Sequence, residues 1–197
     1  MILIGLTGSI GMGKSTTAQM FREAGVPVLD SDQVVHDLYR GEAVAPIAAA
    51  FPGVVVDGVV DRARLASRVL GDAAALKRLE DIVHPLVWAT RDRFLAEHEA
   101  RNEKIVVYDV PLLFETGAET TVDVVVVASA PEDVQKTRVL SREGMTEEKF
   151  AAILAKQVPD EEKRARADFV VRTDRGLDDA RAQVPAILES LRARTDA

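Results

Sequence analysis

The residues of this chain that could do chemistry begin with the loop 8–15. Its sequence, Gly-Ser-Ile-Gly-Met-Gly-Lys-Ser, matches the phosphate-binding pattern G-x-x-x-x-G-K-[ST] at every fixed position. Glycines let backbone N–H groups turn around an anion, and the start of a following helix adds partial positive charge. Lys14 can reach the β- and γ-phosphates, and the Ser15 hydroxyl can ligate Mg²⁺. We therefore predict a nucleoside triphosphate site, contacted by Gly8, Ile10, Gly11, Met12, Gly13, Lys14, Ser15 and Thr16.

Acidic residues follow two other predicted strands. Asp30 and Asp32 come directly after the strand 26–29, and Asp109 ends the apolar run 105–109. Because ligands in open α/β sheets lie beyond the carboxyl ends of the strands, we expect these carboxylates and the loop to face one cleft. A carboxylate there can accept the proton of an attacking hydroxyl or help to organise Mg²⁺. The alternative role is a plain helix cap, and the choice between Asp30 and Asp32 as the base stays open.

The composition is that of an ordinary globular protein and excludes several function classes. Of the 197 residues, 47% are hydrophobic and 29% are charged, which suits one domain over residues 1–197. The net charge of −7 argues against a broad electrostatic contact with nucleic acid. The lack of cysteine excludes disulfides, thiolate catalysis and zinc–cysteine sites. No apolar run approaches the length of a membrane span, so we expect a cytoplasmic protein that does not bind membranes. The net charge predicts no nucleic-acid partner, and we expect a monomer.

Five short apolar runs alternate with helical patterns and would position these residues. The phosphate loop follows the first run, and the β-branched run 122–128 is typical of a strand buried on both faces. This alternation predicts an α/β fold, a three-layer doubly wound structure with a parallel five-stranded sheet. The predicted strands cover residues 2–6, 26–29, 105–109, 122–128 and 168–171.

A helical stretch over residues 61–100 interrupts the alternation. Apolar residues recur there at helical spacing, and helix boundaries are predicted at Gly71-Asp72 and at His84-Pro85. Such an insertion beside a phosphate-binding loop can cover a second substrate and keep it away from water. We therefore expect residues 61–100 to cover an acceptor. From its local sequence alone, His84 is more often a structural histidine than a ligand.

Two arginines precede a predicted turn in the second half of the chain. Arg138 and Arg142, four residues apart, lie on one face of a helix, and Gly144 can act as a hinge after them. The last helix is predicted over residues 177–191, with a kink or break at Pro185.

Together these motifs resemble the dephospho-coenzyme A kinase family of P-loop kinases nearly end to end. The phosphate loop alone is generic, whereas its combination with the stretch 109–115 is highly specific. Two positions depart from the family, because Thr173 stands where Asn is frequent and Met12 replaces a small residue. The segments that resemble the family, besides the loop, are Asp30-Ser31-Asp32, His84-Pro85-Leu86-Val87, Asp109-Val110-Pro111-Leu112-Leu113-Phe114-Glu115, Arg138, Arg142-Glu143-Gly144, Gln157, Lys163 and Ala167-Asp168-Phe169-Val170-Val171.

The resemblance implies a sheet of strand order 2-3-1-4-5 and transfer of the γ-phosphoryl group of ATP to the ribose 3′-hydroxyl of dephospho-coenzyme A, with Mg²⁺ as cofactor. It implies that Asp32 is the general base and that Lys14 holds the phosphates. Arg142 would close over them as part of a lid at residues 142–160. Implied nucleotide contacts outside the loop are Arg138 and Arg142, implied metal-binding residues are Ser15 and Asp109, and implied acceptor contacts are Thr7, Asp32, Arg62, His84 and Leu113.

Two other readings of the loop stay open on the sequence. One is a nucleoside, nucleotide or shikimate-type kinase on the same scaffold, which acceptor preference would distinguish. The other is a GTPase-like switch, which the sequence disfavours. The guanine-binding pattern Asn-Lys-x-Asp is absent, since Asn102 is the only asparagine, and no Asp-x-x-Gly pattern is present.

Overall fold

The phosphate loop lies between a buried strand and a helix, as its sequence predicts. In the computed structural model, which describes residues 1–195, β1 is Ile2–Thr7 and α1 is Lys14–Glu23. The predicted domain 1–197 thus includes two residues, 196 and 197, that lie outside the described part. The other elements, in chain order, are β2 (Val28–Asp30), α2 (Ser31–Leu38), α3 (Val44–Ala50), β3 (Val55–Val56), β4 (Val59–Val60), α4 (Arg62–Val69), α5 (Ala73–Ala100), β5 (Ile105–Asp109), a 3₁₀ turn (Ala118–Thr121), β6 (Val124–Ser129), α6 (Glu132–Leu140), α7 (Glu147–Leu154), α8 (Asp160–Ala165), β7 (Phe169–Arg172) and α9 (Leu177–Thr195).

The main sheet has five strands in the order β2-β5-β1-β6-β7. Counted along the chain within this sheet, that order is the predicted 2-3-1-4-5. β1 pairs in parallel with β5 and with β6, and β6 pairs in parallel with β7. Every residue of β5 and β6 is buried, as expected for strands covered on both faces. The predicted doubly wound α/β fold is confirmed.

The chain divides into two compact units. The first comprises Met1–Leu29 together with the described residues from His98 onwards, and the second comprises Asp30–Glu97. In the first unit, α1 and α9 bury apolar residues against the same core as β1 and β6, among them Phe21 and Leu191, which are fully buried. Burial of each such side chain contributes about 1.5–3 kcal/mol to stability, so this core fixes the helix that follows the loop.

The second unit contains helices. It also contains a short hairpin, which the sequence did not predict. β3 and β4 are antiparallel, and Asp57 and Gly58 between them both have positive φ, of 49° and 76°. That backbone suits a two-residue Asp-Gly hairpin turn. Each strand has only two residues, which is too short for apolar alternation to reveal it.

One of the two predicted helix boundaries in the stretch 61–100 is confirmed and the other is wrong. Gly71 has a φ of 84°, and the carboxylate of Asp72 caps α5 by accepting from the N–H groups of Ala74 and Ala75. At His84-Pro85 the helix continues, and Pro85 lies inside the 28 residues of α5 although a proline removes one hydrogen bond and crowds the carbonyl four residues earlier. α9 likewise continues through Pro185. Within residues 1–195, no helix has the length and apolar character needed to cross a bilayer.

Candidate active site

The backbone of the phosphate loop depends on two of its glycines. Gly11 and Gly13 have φ of 79° and 92°, in the left-handed region that favours glycine. A Cβ at Gly11 would lie 2.5 Å from Val139 Cγ2, and a Cβ at Gly13 would lie 3.0 Å from Thr173 Cγ2. The positive φ and the lack of room for a Cβ therefore both disfavour any larger residue at Gly11 and at Gly13. Among the described residues no side chain caps α1, so the N–H groups of its first turn are available to an anion.

The predicted phosphate-binding lysine contacts the predicted metal-organising aspartate. Lys14 Nζ lies 2.7 Å from Asp109 Oδ1, and the two side chains are 14% and 1% exposed. They meet because β1 and β5 are neighbours in parallel register, with Leu6 opposite Asp109. The sequence predicted that both residues lie at strand ends, but it did not predict that they pair.

The described residues offer a hydroxyl for a metal but no carboxylate cluster. Ser15 is exposed in the first turn of α1. Among residues 1–195, no group of three or more histidine, aspartate or glutamate side chains could hold a metal ion. Mg²⁺ commonly keeps several waters and binds through one or two protein ligands together with substrate phosphates. The exposed Ser15 hydroxyl at the end of the loop therefore fits Mg²⁺ that arrives with a triphosphate.

A cleft beside the loop brings together five of the ten predicted nucleotide contacts. Its volume is about 340 Å³. Arg142, after α6, is exposed on this cleft, and no side chain of the described chain pairs with its guanidinium. A free cation at this position can meet an anionic ligand. The cleft is lined by Gly11, Gly13, Thr16, Thr17, Met20, Arg138, Arg142, Thr173, Leu177 and Ala180.

Thr173 stabilises the phosphate loop through hydrogen bonds, a role that the sequence did not reveal. Its hydroxyl donates to Met12 O at 2.8 Å and accepts from Arg138 Nη1 at 2.9 Å. Arg138 also donates to Thr173 O at 2.6 Å and to Gly11 O at 3.4 Å. The side chain of Met12 is 2% exposed, and its sulfur accepts from the N–H of Ala130 at 3.2 Å. The two positions that depart from the family pattern are thus in direct contact with each other.

Two predicted acceptor contacts of the first unit are buried. The Thr7 hydroxyl donates to Pro111 O at 3.2 Å and ties the end of β1 to the segment after β5. Leu113 is fully buried, and a Cβ at Gly5 would lie 3.1 Å from Leu113 Cδ2. Acceptor contacts by Thr7 and Leu113 stay predictions that this packing does not support.

The two aspartates after β2 have different environments. Asp30 caps α2, since its Oδ1 accepts from the N–H of Asp32 at 2.9 Å and from the N–H of Gln33 at 3.1 Å. Asp32 is exposed in the first turn of α2, and within the described residues its carboxylate has no hydrogen-bond partner. The carboxylate of Asp32 is therefore free to accept a proton, whereas that of Asp30 is engaged.

The other predicted acceptor contacts, Arg62 and His84, are exposed residues of the second unit. The Arg62 guanidinium lies 5.5 Å from the centroid of the Tyr39 ring. Burial raises the pKa of the Tyr39 phenol above its ordinary value of 10.0, and the Arg62 cation offsets part of that rise. The rings of His84 and Trp88 are 6.0 Å apart on α5. Each of these side chains therefore has an aromatic neighbour on the surface of this unit.

Comparison with known proteins gives one consistent result. The family model for dephospho-CoA kinase matches residues 2–179. The dephospho-CoA kinase of Mesorhizobium japonicum is 66% identical over 194 residues, which cover 98% of each chain. The TT1252 structure from Thermus thermophilus is 38% identical, covers 96% of this chain and 97% of that one, and superimposes with a TM-score of 0.81. The dephospho-CoA kinase structure from Campylobacter jejuni, at 23% identity with 96% of each chain covered and a TM-score of 0.66, shows the same fold.

The family match, the near-complete coverage and the phosphate loop at the end of the central strand agree with one another. The chain therefore belongs to the dephospho-CoA kinase family, which phosphorylates dephospho-CoA with ATP in the last step of coenzyme A synthesis.

Proposed function

We propose that this chain transfers the γ-phosphoryl group of ATP to the ribose 3′-hydroxyl of dephospho-CoA, with Asp32 as the general base. The observation that supports Asp32 over Asp30 is the helix cap, because Asp30 already accepts two backbone N–H groups and Asp32 accepts none. Asp32 would take the hydroxyl proton as the ribose oxygen forms its bond to the γ-phosphorus. The bond from that phosphorus to the bridging oxygen of ADP breaks in the same step.

The loop would hold the triphosphate through its amides and the ammonium of Lys14. Asp109 keeps that ammonium at the end of β1, where the uncapped first turn of α1 also offers N–H groups to an anion. Groups that are already oriented before the reaction stabilise the charge of a phosphoryl-transfer transition state without reorganising. Pairing with a buried carboxylate therefore supports Lys14 as a positioned phosphate ligand rather than a mobile surface lysine.

Mg²⁺ would be held by the Ser15 hydroxyl, with Asp109 in its outer shell. When bound, such an ion neutralises charge on the β- and γ-phosphate oxygens. The exposure of Ser15 supports this assignment. Asp109 is engaged by Lys14 at 2.7 Å, which favours an indirect role for Asp109.

ATP would occupy the 340 Å³ cleft beside the loop, with its phosphates at the loop glycines and its nucleoside next to Thr173. Arg142 borders that cleft with an unpaired guanidinium, so it is suited to close over the phosphates as part of the lid 142–160. Gly144 has a φ of 71° two residues later, which is consistent with a turn at the base of such a lid. Closure would exclude water, which otherwise takes the phosphoryl group by hydrolysis.

The acceptor would be contacted from the second unit by Arg62 and His84, within the insertion 61–100. Dephospho-CoA carries a pyrophosphate, and a guanidinium binds phosphate oxygens in a two-pronged geometry. Both side chains are exposed and can therefore reach a ligand. The monomeric state and the cytoplasmic location stay predictions.

The experiment that tests this function is an acceptor comparison. Purified protein with ATP and Mg²⁺ should release ADP much faster with dephospho-CoA than with adenosine, AMP or shikimate, because truncation removes binding energy that positions the hydroxyl. Equal rates with AMP or shikimate would contradict the proposed acceptor.

A further inference from the structure

Two glutamines outside the phosphate-loop motif hold the residue Ile10 from opposite sides. Gln135 Nε2 donates to Ile10 O at 2.7 Å, and the N–H of Ile10 donates to Gln157 Oε1 at 3.1 Å. Gln135 lies on α6 and is 4% exposed. Gln157 follows α7, near the end of the predicted lid 142–160. The backbone decides the polarity of both contacts, since a carbonyl can only accept and an N–H can only donate.

The position of Gln157 is fixed by its neighbour in the chain. The N–H of Val158 donates to Glu115 Oε1 at 2.8 Å, and the same oxygen lies 2.8 Å from Lys163 Nζ. The Lys163 side chain is fully buried, and that of Glu115 is 12% exposed. A carboxylate between an ammonium and a backbone N–H makes strong, charge-assisted contacts. The segment after α7 is thus anchored, so Gln157 is held in place to meet the loop.

The contact to Ile10 O also orients the next N–H of the loop. The carbonyl of Ile10 and the N–H of Gly11 belong to one trans peptide unit, so they point in opposite directions. When Gln135 holds the carbonyl on one side, the N–H of Gly11 must face the other side. Gly11 lines the 340 Å³ cleft proposed for the nucleotide. Gln135 and Gln157 themselves line a different cleft of about 630 Å³, together with Ser9 and Met12.

We propose that Gln135 and Gln157 are positioning residues for phosphoryl transfer, which fix the two peptide units that flank Ile10 and so aim the N–H of Gly11 at the triphosphate. This inference rests on the proposed use of the loop to bind ATP. In this proposal, the hydrogen bonds from α6 and from the end of the predicted lid 142–160 to the loop serve to orient the loop for phosphoryl transfer. A misplacement of about 1 Å at such a site lowers turnover by about 100-fold, so each contact is expected to matter for rate.

The test compares the same substitutions at both glutamines. Gln157→Ala and Gln135→Ala each remove a contact, and both should lower kcat by about tenfold or more. Gln157→Glu restores an acceptor for the N–H of Ile10, so it should recover much of the loss. Gln135→Glu places an acceptor against a carbonyl, so it should recover nothing. Because the two glutamates add the same charge beside the loop, their difference reports hydrogen-bond polarity. Gln19→Ala, at an exposed position of α1, is the control for unchanged turnover.

A second measurement does not depend on turnover. Titration with ADP should shift the ¹H–¹⁵N signal of Gly11 strongly in the wild-type protein and weakly in Gln135→Ala and Gln135→Glu, with similar melting temperatures. Equal kcat values for Gln135→Glu and Gln157→Glu, or a full Gly11 shift in the Gln135 variants, would overturn the inference. If the wild-type protein shows the Gly11 shift but does not phosphorylate dephospho-CoA, the proposed function fails and this inference stands.

Discussion

The ammonium of Lys14 and the carboxylate of Asp109 form an ion pair of 2.7 Å that joins the phosphate loop to the end of β5. The aspartate is almost completely buried and the lysine keeps a small exposed fraction. A buried carboxylate attracts a nearby ammonium more strongly than an exposed one, because the surrounding dielectric is lower. The pair therefore holds Lys14 at the strand end before a nucleotide binds.

Lys14→Met should abolish most turnover and also lower stability. The change removes the positive charge beside a buried carboxylate. Loss of one member of a buried polar pair lowers the free energy of unfolding by about 1–3 kcal/mol. Adding Asp109→Asn should restore the free energy of unfolding in urea without restoring activity. A Lys14→Met protein with wild-type stability would show that the ion pair does not contribute to the fold.

Arg142→Ala should lower kcat far more than it weakens ATP binding. Its guanidinium borders the nucleotide cleft, and arginines that stabilise phosphoryl-transfer charge contribute about 10³–10⁵ in rate. Comparison of kcat with the Kd of ATP from calorimetry separates the two effects. The matched control is Arg22→Ala, at an exposed position near the end of α1, which should change neither quantity. Equal losses in kcat and Kd would make Arg142 a binding residue only.

Thr173→Val should weaken ATP binding and destabilise the protein. The substitution keeps the side-chain volume beside Gly13 but removes the hydroxyl that contacts Met12 and Arg138. Loss of such a buried hydrogen bond costs about 1–3 kcal/mol. Thr173→Ser keeps the hydroxyl and should retain most ATP affinity. If the valine and serine variants bind ATP equally well, the hydrogen bonds of the Thr173 hydroxyl are not important for binding.

Tyr39 should make the stability of the protein fall at alkaline pH. Burial raises its pKa above 10.0 in the folded state, so above that pH the folded chain keeps a proton that the unfolded chain has lost. The contribution is fully present below pH 10.0 and is lost as the pH rises through the folded pKa. Tyr39→Phe should flatten this part of the curve of unfolding free energy against pH. Identical slopes for both proteins above pH 10.0 would contradict the direction of the shift.

The sequence predicted local features well and long-range contacts poorly. The five sheet strands and the loop were recognisable because apolar runs and glycine spacing are local signals. The hairpin at Asp57-Gly58 was missed because its strands have two residues each. At Pro85, the helix-breaking tendency of proline was outweighed by the helix on both sides.

In the candidate active site too, the sequence indicated the positions of residues along the chain but not their long-range contacts. That Lys14 and Asp109 each lie at a strand end could be predicted, but their pairing depends on strand order. Thr173 contacts Met12 across 161 residues of sequence, and no local signal indicates that contact. The sequence did not decide which aspartate, Asp30 or Asp32, caps the helix and which has a free carboxylate. Both positions suit the N-terminal turn of a helix.

The most direct test of this account compares Asp32→Asn with Asp30→Asn at saturating ATP and dephospho-CoA. Asp32→Asn should lower kcat by about 10²–10⁴ with little change in ATP affinity, since it removes the proposed base. Asp30→Asn removes the same charge but keeps an oxygen that can cap α2, so it should lower kcat far less. If Asp30→Asn is the more damaging change, or if Asp32→Asn keeps its turnover, Asp32 is not the base.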